Sequence, residues 1–166
     1  MNALVEKIPG QRRWEIATEK LTGAVVAYVA RLKSETGEEA YNEFTKLIWY
    51  QTGADIRDFA DNVEISTETA IGIQDALNLQ VGIFLGSEFE FEIVEAAENR
   101  CVTQVKKCAW HERWKNLGLT WDLCSAGHQS MGEGAVKVLN DDYTFKLTRN
   151  MVCGDSCCEY VIERKS

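Results

Sequence analysis

The sequence predicts an α+β fold in which a helical N-terminal half packs on a four-stranded antiparallel sheet, built from two hairpins with intervening helices. Apolar residues recur at three-to-four spacing through the first 86 residues, and period-two alternation marks two stretches of the second half. A chain of 166 residues, 45% of them hydrophobic, is long enough for one self-sufficient core. We therefore expect a single domain over residues 1–166, mainly helical over 1–86 and mixed over 87–166.

Two amphipathic helices are predicted near the start of the chain. Residues 12–33 place their apolar side chains on one helical face, and Gly37 interrupts this pattern. A second apolar face runs through residues 40–52, and residues 55–60 suit a short helical turn.

A third long helix and a hairpin are predicted next. The segment Ser66-Thr67-Glu68-Thr69 offers a capping side chain with an acid in the first turn, so a helix is expected over residues 66–84. Aromatic and aliphatic residues then alternate with glutamate through residues 88–93, which indicates a strand with one solvated face. Its partner is expected over residues 100–107, with the turn near Asn99.

Two further helices and a second hairpin are predicted in the rest of the chain. Residues 109–117 are helical in composition and are followed by a glycine. The next helix, over residues 120–138, is expected to be interrupted around three glycines: Gly127, Gly132 and Gly134. Two β segments over 144–150 and 157–163 are expected to join through a turn at Gly154-Asp155.

The charge and hydropathy of the chain restrict its partners. A net charge of −8 argues against a nucleic-acid binder, because neutralising phosphates requires a surplus of basic residues. No apolar run approaches the ~20 residues that span a bilayer, and the start of the chain lacks the order of a signal peptide. We therefore expect a cytoplasmic protein without a membrane partner. In that reducing compartment, six cysteines indicate thiol chemistry or metal binding rather than disulfides.

All six cysteines and both histidines lie between Cys101 and Cys158. Cys108 directly precedes a predicted helix, whose N-terminal partial charge is expected to lower the pKa of the thiol and favour a nucleophile. His111 follows within a turn and suits a general base or a metal ligand. A buried cysteine at a strand end and a surface histidine are the alternative interpretations.

A metal site is a second interpretation of the same residues. Cys124 and His128 stand four apart, which places both on one helical face and suits zinc, although a core thiol with an unrelated histidine fits equally. In the closing strand, Cys158 shares its face with Tyr160 and Ile162, opposite to Cys157. The zinc or iron–sulfur interpretation draws on five residues: Cys108, Cys124, His128, Cys153 and Cys158. No CxxC pair accompanies them.

The order of these landmarks resembles the L-2-amino-thiazoline-4-carboxylic acid hydrolase family. The resemblance is carried by Cys108-Ala109-Trp110, a Leu-Gly-Leu segment, Cys124 and the closing GDSCCEY motif, which begins at Gly154. Two positions depart from the family pattern, which often has proline at 109 and an acid at 127. The closing motif is also similar to the ligand-binding domains of the vinyl-reductase class, which bind small hydrophobic molecules.

The resemblance and the cysteines together predict a hydrolase acting on a small cyclic amidine or another C–N bond. The thiol of Cys108 or Cys158 is the expected nucleophile, with His111 or His128 as base. Trp110 is expected to line the substrate pocket, Arg113 or Arg149 to pair with a substrate carboxylate, and Asp155 to hold the positive group of the substrate. The alternatives are a small-molecule-binding or sensor module without turnover, and a metalloprotein. A homodimer is the ordinary expectation for a domain of this size.

Overall fold

The computed structural model describes residues 3–122 and 124–166. Helices and strands follow one another in this order: α1 (Ala3–Glu6), α2 (Gly10–Thr36), α3 (Glu38–Ala54), α4 (Ile56–Asn62), α5 (Ala70–Leu85), β1 (Glu90–Ala97), β2 (Arg100–Lys107), α6 (Ala109–Asn116), α7 (Ser125–Leu139), β3 (Tyr143–Arg149) and β4 (Cys158–Arg164). Short 3-10 turns at Gly86–Glu88 and Met151–Cys153 lie before β1 and β4. None of the helices in the described ranges is long and apolar enough to cross a membrane.

The four strands form one antiparallel sheet in the order β1-β2-β4-β3. Hairpins join β1 to β2 and β3 to β4, and β2 pairs with β4 at the centre, where Thr103 lies opposite Tyr160. A helical first half with two hairpins in one sheet confirms the predicted α+β class.

One face of the sheet carries the core. Cys101, Val105, Phe145, Tyr160 and Ile162 are all buried on this face. Helices α4, α5 and α7 complete the same cluster with Ile56, Ile73, Leu77, Val136 and Leu139. Helix α2 contacts α3, α5 and α6, so it packs beside this core.

Two local predictions in the middle of the chain are confirmed only in part: the helix with a capping side chain in 66–69 and the strand β1 are present, but the first-turn acid and the regular alternation are not. Helix α5 begins at Ala70, where the Thr69 hydroxyl accepts a hydrogen bond from the Gly72 N–H, and no acid lies in its first turn. Strand β1 does not alternate regularly between a buried and a solvated face. Phe91 is 42% exposed, whereas Phe89 and Ile93 pack against the core.

The predicted interruption of the last helix is also wrong. Helix α7 begins only at Ser125 and then continues without a break to Leu139. Its glycines permit close approach of neighbouring elements instead of breaking the helix. A Cβ atom on Gly134 would lie 2.1 Å from the Tyr50 carbonyl oxygen, and one on Gly53 of α3 would lie 2.0 Å from that of Met131. Helices α3 and α7 therefore pack with their backbones nearly in contact.

Candidate functional site

A cavity of about 540 Å³ lies among the helices and the sheet. Helices α2 and α5 contribute mainly aliphatic side chains: Leu21, Val25, Val29, Leu77, Val81 and Leu85. The sheet, α7 and the adjoining loops contribute Val105, His128, Met131, Phe145, Cys158 and Tyr160. This volume is in the range of small-molecule sites in proteins.

The described lining of the cavity carries no formal charge. Among the described residues that line it there is no Asp, Glu, Lys or Arg. Two histidines are present, and burial lowers the pKa of both His111 and His128, so both are neutral near pH 7. An uncharged, mostly apolar wall favours an uncharged, mostly apolar occupant.

Three thiols face this cavity, those of Cys108, Cys124 and Cys158. Burial raises the pKa of each, to about 11 for Cys158, and negative charge on neighbouring thiols would raise them further. The lowered pKa expected for Cys108 is wrong. The backbone N–H groups of Trp110 and His111 do favour its thiolate, but the loss of hydration outweighs them.

The Cys158 thiol is held by a polar loop. Its sulfur lies 3.4 Å from the Met151 N–H and 3.5 Å from Asn150 Oδ1, which accepts the thiol proton. Asn150 is buried, and its side-chain amide donates to the Ser125 hydroxyl at 2.7 Å. As predicted, Cys158 shares the core face of β4 with Tyr160 and Ile162.

The two histidines occupy different surroundings. The His128 ring packs against Phe145 and Tyr160, with centroid distances of 5.9 and 5.4 Å, and burial lowers its pKa to about 4. Within the described ranges no protein group forms a hydrogen bond with this ring. The His111 ring stacks on Trp114 at 5.8 Å, and its Nδ1 lies 3.9 Å from the Glu112 carboxylate.

The remaining predicted substrate residues separate into two groups. Trp110 lines the cavity. Its ring contacts the Trp49 ring edge to face and is tilted against the Phe84 ring. Arg113, Arg149 and Asp155 do not line it. Their partners are protein groups: Arg113 pairs with Glu88 at 2.6 Å, Arg149 lies 4.0 Å from Glu159, and Asp155 accepts the Asn150 N–H at 2.7 Å.

The metal interpretation lacks support in this geometry. Over residues 3–122 and 124–166, no three His, Cys, Asp or Glu side chains come together as a metal site. Cys153, one of the five residues considered, is exposed and lies 3.6 Å from the Ser125 hydroxyl. The His128 ring contacts the core aromatics Phe145 and Tyr160.

Sequence reasoning missed much of the lining. Trp49 of α3 and Phe84 of α5 form an aromatic wall with Trp110, and the apolar face of α2 supplies many of the aliphatic contacts. These faces were expected to be core. The available signal was the composition of α5, AIGIQDALNLQVGIFL, which is apolar on more of its circumference than one packing contact requires.

The chain is similar to known proteins in both sequence and fold. The family model described as L-2-amino-thiazoline-4-carboxylic acid hydrolase matches residues 15–162. No curated protein matches the sequence. Similar solved structures include the phenol-responsive sensory domain of the transcription activator PoxR with phenol, at TM-score 0.63 and 12% identity, covering 86% of this chain and 74% of that one. Another is trafficking protein particle complex subunit 3 from Naegleria fowleri covalently bound to palmitic acid, at TM-score 0.63 and 15% identity, covering 91% and 96%. At these identities the structural matches establish a shared fold.

Proposed function

The chain belongs to the L-2-amino-thiazoline-4-carboxylic acid hydrolase family, and with that premise we propose that it binds a small, uncharged and largely apolar molecule. The observation that carries the proposal is the cavity of about 540 Å³, whose described lining is aliphatic, aromatic or neutral polar.

The energetics of burial select against charged ligands. A carboxylate or ammonium that enters this cavity loses its hydration and meets no countercharge among the lining residues, at a cost of several kcal/mol. Apolar surface buried in the same place contributes roughly 25 cal/mol per Å². Phenol and palmitic acid, the molecules in two proteins of similar fold, are also largely apolar.

A matched pair of probes tests this proposal. 2-Methylnaphthalene and 2-naphthoate share one ring system and differ in charge at neutral pH. Fluorescence titration should give saturable binding of the neutral probe and at least about 100-fold weaker binding of the carboxylate. Equal binding of both probes, or no binding of either, contradicts the proposal.

A pair of variants locates the binding in the cavity. Val25 lines it, whereas Ala24, the preceding residue of α2, is exposed and does not. Val25→Trp should reduce affinity for 2-methylnaphthalene at least tenfold, because the indole occupies ligand volume; Ala24→Trp should leave it unchanged. Similar affinities for the two variants would place the bound probe elsewhere.

A cysteine-dependent C–N hydrolase is the second candidate, and family membership together with the three thiols at the cavity supports it. In this scheme the Cys108 or Cys158 thiolate adds to the carbon of a cyclic amidine, and the departing nitrogen takes a proton. Water then cleaves the covalent intermediate and restores the thiol. His111 or His128 would act as base.

Turnover separates the two candidates. The wild-type chain should consume L-2-amino-thiazoline-4-carboxylic acid in a chromatographic assay, and Cys108→Ser or Cys158→Ser should abolish this loss. Cys153→Ser is the matched control, because Cys153 is exposed and outside the cavity. If the wild-type chain binds the probe but does not consume the substrate, only the binding function is supported.

A further inference from the structure

We infer that His128 receives the one polar group of the ligand, so that the natural occupant is an apolar molecule with a single neutral hydrogen-bonding group, such as a hydroxyl. This inference rests on the proposed binding function and specifies the class of molecule bound.

Several other polar groups that line the cavity already form hydrogen bonds within the protein. The Tyr160 hydroxyl donates to Asn78 Oδ1 at 2.9 Å and accepts from Gln74 Nε2 at 3.2 Å, both on α5. Asn150 is bonded to Ser125, Val152 and Cys158 through its side chain. The hydroxyls of Thr18 and Thr52 donate to main-chain carbonyls. These groups retain little capacity for a ligand.

The position and chemistry of His128 suit it to bind a polar group of a ligand. Its ring packs against both Phe145 and Tyr160, which also contact each other, and its backbone N–H is bonded to the carbonyl of the N-cap residue Cys124 at 2.8 Å. A neutral imidazole offers one acceptor and one donor, and within the described ranges neither has a protein partner. A polar group held in an apolar site without a partner is unfavourable unless something else bonds to it.

Trp49, Trp110 and Gln80 also line the cavity but are less suited to bind a ligand hydroxyl. The indole N–H groups of Trp49 and Trp110 are also without described partners, but indole can only donate. Gln80 lines the cavity without a described contact that fixes its amide, so binding would cost side-chain entropy. Compared with these three groups, His128 is rigid and can serve a ligand hydroxyl as both acceptor and donor.

The test compares two neutral probes of one shape, 2-naphthol and 2-methylnaphthalene, on the full chain. The measured quantity is the ratio of their Kd values, which removes effects common to both probes. We expect His128→Phe to shift this ratio about tenfold against 2-naphthol, because the hydroxyl then enters the cavity unpaired. His128→Gln, which keeps an acceptor and a donor, should restore much of the wild-type ratio.

Each outcome bears on a separate statement. If His128→Phe binds 2-methylnaphthalene, the fold and the cavity persist in this variant. If neither probe binds the wild-type chain, the proposed function fails. If both probes bind but the ratio is the same in wild type and His128→Phe, the role of His128 is refuted. A ratio that changes in Gln80→Leu or His111→Phe but not in His128→Phe also overturns it.

Discussion

Replacement of Gly132 by alanine tests the packing that positions the site. A Cβ atom at Gly132 of α7 would lie 2.3 Å from Cγ and Cδ1 of Phe145 and 2.4 Å from Cε1. Carbon atoms in favourable contact are about 3.5–4.0 Å apart, so the ring must retreat by more than about 1 Å. That ring is buried and also packs on Tyr160 at 5.3 Å and on His128, so its retreat disturbs both of these contacts.

The expected magnitude combines two opposing effects. Overpacking of a well-packed core costs about 1–3 kcal/mol. Alanine is favoured over glycine inside a helix by about 1 kcal/mol, which partly offsets that cost. We therefore expect Gly132→Ala to lose about 1 kcal/mol. Gly23→Ala in α2 is the matched control, because a Cβ there meets nothing within 4 Å, and it should gain up to about 1 kcal/mol.

Urea denaturation followed by circular dichroism measures both variants. The midpoint should fall for Gly132→Ala and rise for Gly23→Ala, with m-values unchanged. In a chain that carries Phe145→Leu, adding Gly132→Ala should lower the midpoint less than it does in the wild-type chain. The reason is that the added Cβ clashes with the Phe145 ring, which the leucine variant lacks. Equal midpoints for the two alanine variants would refute the packing argument.

Three further predictions concern thiols, pH and the end of α7. Iodoacetamide at pH 7.5 should modify the exposed Cys153 before Cys158, because burial raises the pKa of Cys158 to about 11; peptide mapping that shows the reverse order contradicts this. Burial lowers the pKa of His128 to about 4 while the unfolded chain keeps an ordinary value near 6.5, so the unfolded chain binds the proton first as the pH falls. The free energy of unfolding should therefore decrease from about pH 6.5 to 4 by up to about 1.4 kcal/mol per pH unit, and His128→Phe should flatten this dependence. Arg57 donates to the last carbonyls of α7, and Arg57→Leu should cost about 1.5–3 kcal/mol, against less than about 0.5 kcal/mol for the exposed Arg31→Leu, both measured by urea denaturation.

The strands could be predicted from sequence more closely than the last helix. Residues 100–107 were expected as a strand and form β2 over Arg100–Lys107, because alternation and flanking turn residues are local signals. The start of α7 was missed because its N-cap residue, Cys124, makes no capping hydrogen bond with its side chain, and the acceptor for the first N–H groups lies further back in the chain. The Asp122 carboxylate accepts the N–H groups of Cys124 and Ser125, each at 2.9 Å, and this begins the helix three residues after the aspartate.

The glycines of α7 show why the rest of that helix was misjudged. A glycine in a sequence indicates flexibility or close approach, and the sequence alone does not say which. At Gly134 a neighbouring carbonyl leaves no room for a side chain, and at Gly127 the Trp49 ring would lie 2.7 Å from a Cβ atom. These contacts join residues about 80 positions apart, so no local pattern encodes them.

The cavity and its thiols were beyond sequence reasoning for a related reason. Periodicity identifies an apolar face, but a face that lines a cavity has the same pattern as one that packs on a core. The position of Cys108 before α6 gave a correct local signal, since backbone N–H groups do favour its thiolate. Burial by distant elements reverses the outcome, and burial is a property of the whole fold.

The pKa values at the cavity set a requirement for any thiol chemistry there. With a pKa of about 11, only about one Cys158 thiol in 10⁴ is ionised at pH 7. Transfer of its proton to His128 is also unfavourable, because burial lowers the pKa of that imidazole to about 4. A hydrolase using this thiol therefore needs a substrate that brings its own positive charge, such as a protonated amidine, to stabilise the thiolate. The binding function needs the opposite, a neutral ligand. Titration with a cationic amidine should consequently increase alkylation of Cys158 if the hydrolase hypothesis holds, and titration with a neutral probe should only protect it.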